Sequence, residues 1–205
     1  MPQVVDHPLA AHYLTTLRDQ TTETSIFRTT ARRLAHLLVA EALRDMPLAE
    51  IPIETPLEPM TGRTLAKTVT LVAVLRAGLG LVDAGLELLP DARIGYAGVQ
   101  RDEQTAEPQE YYAKFPRMDD SRVLILEPML ATGGSLSWAV AKVKENGATD
   151  ITAVCVVSAP PGIRRIEQEH PDVGLVTAAV DDRLDENFYI RPGLGDMGDR
   201  LFGTL

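Results

Sequence analysis

The chain has 205 residues, of which 45% are hydrophobic and 24% charged, and its formal net charge is -9. This length and ordinary globular composition predict one compact domain with a sizeable core. Proteins that bind a nucleic-acid backbone normally carry a basic surface, so the acidic balance argues against nucleic acid as the main partner, although a few arginines and backbone N–H groups can still bind a small anion.

Two further features narrow the class of protein. Cys155 is the only cysteine, which excludes an intrachain disulfide and a cysteine metal cluster, and the apolar run around it predicts a buried side chain. The first residues lack the layout of a signal peptide, and no apolar run approaches the roughly 20 residues that a membrane span needs. We therefore expect a cytoplasmic protein that has no membrane partner.

The first part of the chain predicts a helical segment followed by a stretch that cannot form a long helix. We assign residues 1–46 to the helical segment. Residues 24–44 form an amphipathic pattern because Phe27, Ala31 and Leu34 recur at three-to-four spacing. Four prolines between positions 47 and 59 then predict irregular chain or an edge strand.

From residue 69, predicted strands alternate with predicted helices. Short apolar runs rich in β-branched residues indicate five strands, at 69–75, 94–99, 122–126, 151–157 and 173–179. This alternation predicts an α/β fold, in which a parallel five-stranded sheet over residues 69–180 is flanked by helices. Ligands of such sheets bind beyond the carboxyl ends of the strands.

Two segments do not follow this alternation. Residues 101–121 are polar and contain two prolines, which predicts an extended hairpin or a flexible arm. Residues 181–205 are rich in Gly, Pro and Asp. We expect this tail to form a small hood that caps the site and adds no strand to the sheet.

The segment LILEPMLATGGS joins the third predicted strand to a helix. Gly133 and Gly134 allow a ligand to approach the backbone, whose consecutive N–H groups can form an anion-binding nest. Thr132 and Ser135 add hydroxyl donors, and the helix N-terminus adds partial positive charge. These features favour a phosphomonoester, with Glu127 accepting hydrogen bonds from sugar hydroxyls. The alternative is a tight strand-to-helix connection that binds nothing.

Two arginines follow the ends of the first two predicted strands. Arg76 opens the motif RAGLG, in which Gly78 and Gly80 provide flexible backbone, and Arg101 lies where the second strand ends. A guanidinium group donates two parallel hydrogen bonds to a phosphate group. Two arginines that converge on this edge of the sheet would therefore bind a diphosphate. For Arg101, a solvated surface position is the alternative.

The motif YIRPGLGDMGD begins at Tyr189 and contains three glycines, one proline and two aspartates. Such a composition predicts a tightly wound loop, whose free backbone groups can bind a flat heterocycle. Leu194, Met197, Leu201 and Phe202 argue against a disordered tail because these apolar side chains require burial.

Together, RAGLG, EPMLATGGS and YIRPGLGDMGD resemble, in this order, the motifs of the uracil phosphoribosyltransferase family. The segment RDEQTAEP also resembles the flexible arm of that family, and the similarity extends over nearly the whole chain. The resemblance implies a type I-like phosphoribosyltransferase fold with a flexible β-arm and a C-terminal hood. It implies transfer of the 5-phosphoribosyl group from phosphoribosyl diphosphate to uracil, which gives UMP and diphosphate.

The resemblance also assigns site residues, motif by motif. It implies that phosphoribosyl diphosphate is bound by Arg76, Arg101, Glu127, Pro128, Met129, Leu130, Ala131, Thr132, Gly133, Gly134, Ser135 and Asp196. It implies that uracil is bound by Ile190, Gly195, Asp196 and Met197. No general base is assigned, and we expect surface or packing roles for His7, His12, His36 and His170.

Cofactor and partners follow from the same resemblance. It implies Mg²⁺ held mainly through the substrate and not by protein ligands, since this hard cation prefers phosphate oxygens and water. It raises GTP as a candidate allosteric activator. The expected partners are the two small-molecule substrates and further copies of this chain, in a homodimer or a higher homo-oligomer.

Three residues depart from the family pattern. Glu127 replaces an aspartate, Pro161 replaces a commonly acidic residue, and Arg191 replaces an apolar residue beside the expected base pocket. Arg191 can therefore admit a different, acidic ligand. The alternatives are a non-catalytic relative that binds a nucleotide as a regulatory protein and an enzyme of altered base specificity.

Overall fold

The computed structural model describes residues 1–101 and 108–204. The N-terminal part contains β1 (Gln3–Val4), α1 (Pro8–Arg18), α2 (Thr24–Ala42), β2 (Leu48–Glu54) and β3 (Pro59–Leu65). The amphipathic pattern correctly predicts α2, whose Phe27, Ala31 and Leu34 are fully buried.

The stretch with four prolines forms an exposed hairpin of β2 and β3, which pair with each other in antiparallel orientation. Both are edge strands, one of the two alternatives that the prolines left open. Pro52 and Pro59 are tolerated because an edge strand has a row of backbone groups that need no partner strand.

The central part alternates strands and helices. Its elements are β4 (Thr68–Leu75), α3 (Leu79–Leu88), β5 (Arg93–Arg101), β6 (Pro108–Lys114), β7 (Ser121–Leu126), β8 (Met129–Leu130), α4 (Gly134–Glu145), β9 (Asp150–Ser158), α5 (Pro160–Glu169) and β10 (Gly174–Val180). Residues 102–107 of the expected arm lie outside the described residues. On either side of it, β5 and β6 pair in antiparallel orientation.

The described strands of the large sheet have the order β1-β10-β9-β7-β4-β5-β6, with β8 paired to β9. The five predicted strands lie at its centre and are parallel, which confirms the predicted fold. The predicted number of strands is too low. The sequence pattern misses β1 and β8 because each has two residues. Strand β6 was not among the five predicted strands, but its antiparallel pairing with β5 agrees with the extended hairpin that was one alternative for residues 101–121.

The central strands are predominantly apolar because both faces of the sheet are covered. Leu71 and Ala73 of β4 pack with α1, α2 and α3, whereas Val72 and Val74 pack with α4 and α5 on the other face. Cys155 of β9 is fully buried in the second cluster, as predicted.

The tail forms β11 (Arg183–Leu184), β12 (Ile190–Arg191) and α6 (Met197–Phe202). Strands β11 and β12 pair only with each other among the described strands. Arg200 attaches the tail to the N-terminal helices, because its guanidinium group donates to the carbonyl groups of Leu17 and Leu194 and lies 4.3 Å from the ring centre of Phe27. Among the described residues, no helix has the length and apolarity to cross a membrane.

Candidate active site

The connection between β7 and α4 is a tight glycine turn at the carboxyl edge of the sheet. Gly133 precedes α4 with φ of 83°, a left-handed conformation that side chains rarely adopt. A Cβ atom on Gly133 would also lie 3.1 Å from the carbonyl oxygen and 3.2 Å from the Cα atom of Gly162 in α5. The turn therefore requires glycine for two separate reasons, backbone conformation and close packing.

This turn forms one wall of a cavity of about 430 Å³. The opposite wall comes from the tail. The lining residues are Glu127, Met129, Leu130, Ala131, Thr132, Gly133, Gly134, Ser135, Leu136, Asn187, Phe188, Tyr189 and Asp196. The first N–H groups of α4 have no acceptor within the helix, so this wall can bind an anion.

A second cavity, of about 220 Å³, adjoins the first. The two cavities share Met129, Ala131, Phe188, Tyr189 and Asp196, and the second is completed by Ala77, Ile190, Gly195, Met197 and Gly198. Ile190 and Met197 are buried apolar residues, so this cavity combines an apolar surface with backbone groups of the tail. We refer to the two as the turn cavity and the tail cavity.

Among the described side chains, all but two of the predicted site residues line the two cavities. All four predicted uracil-binding residues line the tail cavity, and Asp196, Glu127 and the residues 129–135 line the turn cavity. Pro128 is not in the lining of either cavity. It is buried, and its carbonyl group accepts the N–H groups of Val156 and Val157 at 2.8 and 3.0 Å.

The second exception is Arg76, which is also not in the lining of either cavity. Its Nη2 atom lies 2.8 Å from Oδ1 of Asp199, and its Nη1 atom lies 3.3 Å from Oγ1 of Thr204. The side chain is 54% exposed, so it has room to reorient. Arg101 ends β5, and its side chain lies outside the described part of the chain.

No sequence pattern indicated the wall formed by Asn187 and Phe188. Asp185 shapes this wall, because its Oδ1 atom accepts the N–H groups of Asn187 at 3.0 Å and Tyr189 at 2.9 Å. Phe188 has a φ of 63°, and no residue pattern indicates that conformation. Ala77 and Gly198 were also missed, although both belong to motifs that the analysis singled out.

Arg191 does not face a base in this structure, which corrects the expectation that it admits an acidic ligand. It is absent from the described lining of both cavities. Its Nε atom lies 2.8 Å from Oδ2 of Asp185, so it holds the same turn from the outer side. The pKa of the Asp185 carboxyl group lies below its ordinary value, mainly because it accepts the N–H group of Tyr189. The ion pair with Arg191 lowers this pKa further.

Glu127 is the titratable group most strongly affected by the site. Burial raises the pKa of its carboxyl group from an ordinary 4.5 to about 8, although the N–H group of Met129 acts in the opposite direction. Within the described residues, its Oε2 atom is buried and has no hydrogen-bond partner. At neutral pH the unliganded carboxyl group is therefore largely protonated, with a polar atom ready for a partner.

We expect Glu127 to make stability fall as pH rises. Between pH 4.5 and 8 the folded chain holds a proton that the unfolded chain releases. The free energy of unfolding should therefore decrease by roughly 1.4 kcal/mol per pH unit across this window. The free energy of unfolding can be measured in urea from pH 5 to pH 8 for the wild type and for Glu127→Gln. The difference between the two proteins should fall with this slope as the pH rises. A difference that does not change with pH would contradict the assigned protonation.

Comparison with solved structures identifies the fold. Adenine phosphoribosyltransferase from Trypanosoma brucei shares the fold, with a TM-score of 0.58 at 13% identity over 85% of this chain and 80% of that one. The AQ2163 protein from Aquifex aeolicus is far more similar, with a TM-score of 0.95 and 37% identity over 98% of both chains. The chain thus has the phosphoribosyltransferase fold.

Sequence comparison identifies the family. The family model described as uracil phosphoribosyltransferase matches residues 4–204. The uracil phosphoribosyltransferase of Enterococcus faecalis is 49% identical over 204 residues, 98% of each chain. That of Salinibacter ruber is 50% identical over 202 residues, which cover 98% of this chain and 96% of the relative. The chain belongs to the uracil phosphoribosyltransferase family, which confirms the resemblance drawn from its motifs.

Proposed function

We propose that this chain transfers the 5-phosphoribosyl group from phosphoribosyl diphosphate to uracil, which gives UMP and diphosphate. The observation that carries the proposal is the pair of adjoining cavities, one with a glycine turn at a helix N-terminus and one with apolar walls and tail backbone. Their shared residues would lie where the sugar of a nucleotide joins its base. Membership of the family supports the same reaction.

The turn cavity is proposed to bind the 5′-phosphate and the ribose. The N–H groups at the start of α4, together with the hydroxyl groups of Thr132 and Ser135, suit the phosphate oxygens. Glu127 suits the ribose hydroxyl groups, because its buried carboxyl group can donate a hydrogen bond when protonated and accept one when ionised.

The tail cavity is proposed to bind uracil. Ile190 and Met197 offer apolar contacts to the faces of a flat ring, and the backbone near Gly195 offers donors and acceptors for its edge. Asp196 borders both cavities. Its Oδ1 atom accepts the N–H group of Asp199 at 2.9 Å, which fixes its carboxylate beside the proposed position of the ribosyl carbon.

In the reaction, a uracil nitrogen forms a bond to the ribosyl carbon C1′ while the bond from C1′ to the diphosphate oxygen breaks. The ribosyl centre gains positive charge, so a fixed carboxylate such as Asp196 stabilises it, and the walls align base and donor. The proton on the uracil nitrogen passes to the departing diphosphate or to water, and no protein residue is assigned as its acceptor. We propose that Arg76 exchanges its bond with Asp199 for the departing diphosphate and that Arg101 assists it.

The donor set of the described residues fits a magnesium ion held mainly by the substrate. The described residues contain no group of three His, Cys, Asp or Glu side chains that could hold a metal. Glu127 and Asp196 border the turn cavity, which is suitable for an ion that keeps most of its phosphate and water ligands. When bound, Mg²⁺ would neutralise part of the diphosphate charge. A GTP response, a homo-oligomer and a cytoplasmic location remain predictions from sequence.

The proposal is tested by diphosphate release from phosphoribosyl diphosphate and Mg²⁺, with uracil, cytosine, adenine and hypoxanthine offered separately. We expect diphosphate release to be at least about 100-fold faster with uracil than with the purines. A site whose polar groups pair with the edge of one base leaves some of those buried groups without a partner when another base binds. Preference for a purine would indicate altered specificity. Tight UMP binding without turnover with any base would indicate the regulatory alternative.

A further inference from the structure

The first turn of α5 packs against the glycine turn without intervening side chains. A Cβ atom on Gly162 would lie 2.6 Å from the carbonyl oxygen of Ala131 and 2.9 Å from the side chain of Leu130. Gly133 in turn approaches the backbone of Gly162. The residue one helical turn beyond Gly162 is therefore placed directly beside the glycine turn.

That residue is Arg165. Its Cβ atom lies 3.3 Å from the position that a Cβ atom on Gly133 would occupy. Its Nη1 atom lies 3.3 Å from the corresponding position on Gly134, which is the first residue of α4. A Cβ atom is bonded to the same Cα atom as the amide nitrogen, so the guanidinium group lies close to one of the amides that the helix leaves unpaired.

The guanidinium group is oriented by α4 and α5 together. The Nε atom of Arg165 donates to Oε1 of Glu169 at 3.0 Å, and the other carboxylate oxygen of Glu169 accepts the hydroxyl group of Ser137 in α4. The Ser137 hydroxyl group, and then the charge of Arg165, keep the pKa of Glu169 below its ordinary value. The carboxylate therefore stays charged and holds the arginine in place.

The terminal nitrogens of Arg165 remain available as donors. Across residues 1–101 and 108–204, neither Nη1 nor Nη2 has a hydrogen-bond acceptor. In this structure, Arg165 is not in the lining of either cavity. Its side chain is 38% exposed, however, so its terminal N–H groups can turn toward a ligand in the glycine turn. Arg164, its neighbour in the sequence, is exposed.

We propose that Arg165 binds the same phosphate as the glycine turn and adds a cationic side chain to its backbone N–H groups. This inference rests on the proposed function, because it assumes that the turn binds a sugar phosphate. A planar guanidinium group forms charge-assisted hydrogen bonds with phosphate oxygens, which raises affinity for every phosphorylated sugar that enters the turn cavity. The competing role is structural, namely holding Glu169 so that α4 and α5 stay linked.

Ribose 5-phosphate is the probe, with calorimetric titration of the wild type and of Arg165→Gln and Arg164→Gln. We expect Arg165→Gln to weaken binding of ribose 5-phosphate about tenfold and Arg164→Gln to leave it unchanged. In steady state, Arg165→Gln should raise the KM for phosphoribosyl diphosphate by about the same factor, with kcat and the KM for uracil within about twofold. Arg165→Lys should restore part of the affinity.

Glu169→Gln separates direct binding from the structural role. If Arg165 contacts the phosphate, removal of its carboxylate partner should leave the binding of ribose 5-phosphate equal to or tighter than wild type. Weakening that matches Arg165→Gln would overturn the inference, as would equal affinity of the wild type and Arg165→Gln. A wild type that does not bind ribose 5-phosphate at all would overturn the proposed function and, with it, this inference.

Discussion

Replacing Asp181 with alanine is expected to destabilise the fold by about 2–4 kcal/mol, because a buried carboxylate that accepts three hydrogen bonds is lost. Asp181 follows β10 and is 6% exposed. Its two oxygens accept Nη2 and Nη1 of Arg18 at 2.7 and 2.8 Å, and the second oxygen also accepts the N–H group of Gly193 at 2.8 Å. Without it, the partly buried guanidinium group of Arg18 keeps only the carbonyl group of Gly193 as an acceptor, and the N–H group of Gly193 loses its acceptor.

The same substitution should weaken uracil binding. Gly193 is tied to Asp181 and to Arg18, and it directly precedes the residues that form the tail cavity. Loss of this anchor should raise the KM for uracil more than the KM for phosphoribosyl diphosphate. Asp182→Ala is the matched control, because Asp182 is the adjacent aspartate and is exposed. If urea unfolding gave the two variants free energies of unfolding within about 0.5 kcal/mol of each other, the anchoring role would be refuted.

Gly133→Ala is expected to lower kcat/KM by about 100-fold, because small displacements of a turn that positions substrate have effects of this size. The substitution forces alanine into a φ of 83° and places its Cβ atom 3.1 Å from the carbonyl oxygen of Gly162. Backbone atoms on both sides must then move. The associated strain should destabilise the fold by about 1–3 kcal/mol.

Gly147→Ala provides a control for backbone strain alone. Gly147 lies just beyond the other end of α4 with a φ of 89°, and a Cβ atom there would lie 2.7 Å from Oδ1 of Asp119, the movable end of a side chain. We expect a comparable loss of stability, measured by urea unfolding, with unchanged kcat/KM per folded molecule. If Gly133→Ala retained wild-type turnover, the glycine turn would have no part in substrate binding.

The centre of the fold was predictable because it depends on local patterns. The central strands are mostly apolar, as the two covered faces of the sheet require, and Gly133 with Gly134 marks the turn into α4. The short strands β1 and β8 carry no periodicity in two residues. Their pairing depends on neighbours that are distant in sequence.

Much of the site could not be predicted because it depends on contacts between distant segments. No sequence pattern indicates the bond between Arg76 and Asp199, which lies 123 positions later in the chain. The protonation of Glu127 follows from packing around its carboxyl group. Arg165 has no motif of its own and gains its place only because α5 packs on the glycine turn.

A crystal structure of the chain with bound UMP would show directly whether the two cavities hold the phosphate and the base. The proposed function predicts the phosphate group within hydrogen-bond distance of the N–H groups of Gly134 and Ser135, and the uracil ring in the tail cavity beside Ile190 and Met197. UMP bound elsewhere on the chain, with its phosphate away from the glycine turn, would contradict the assignment of both cavities.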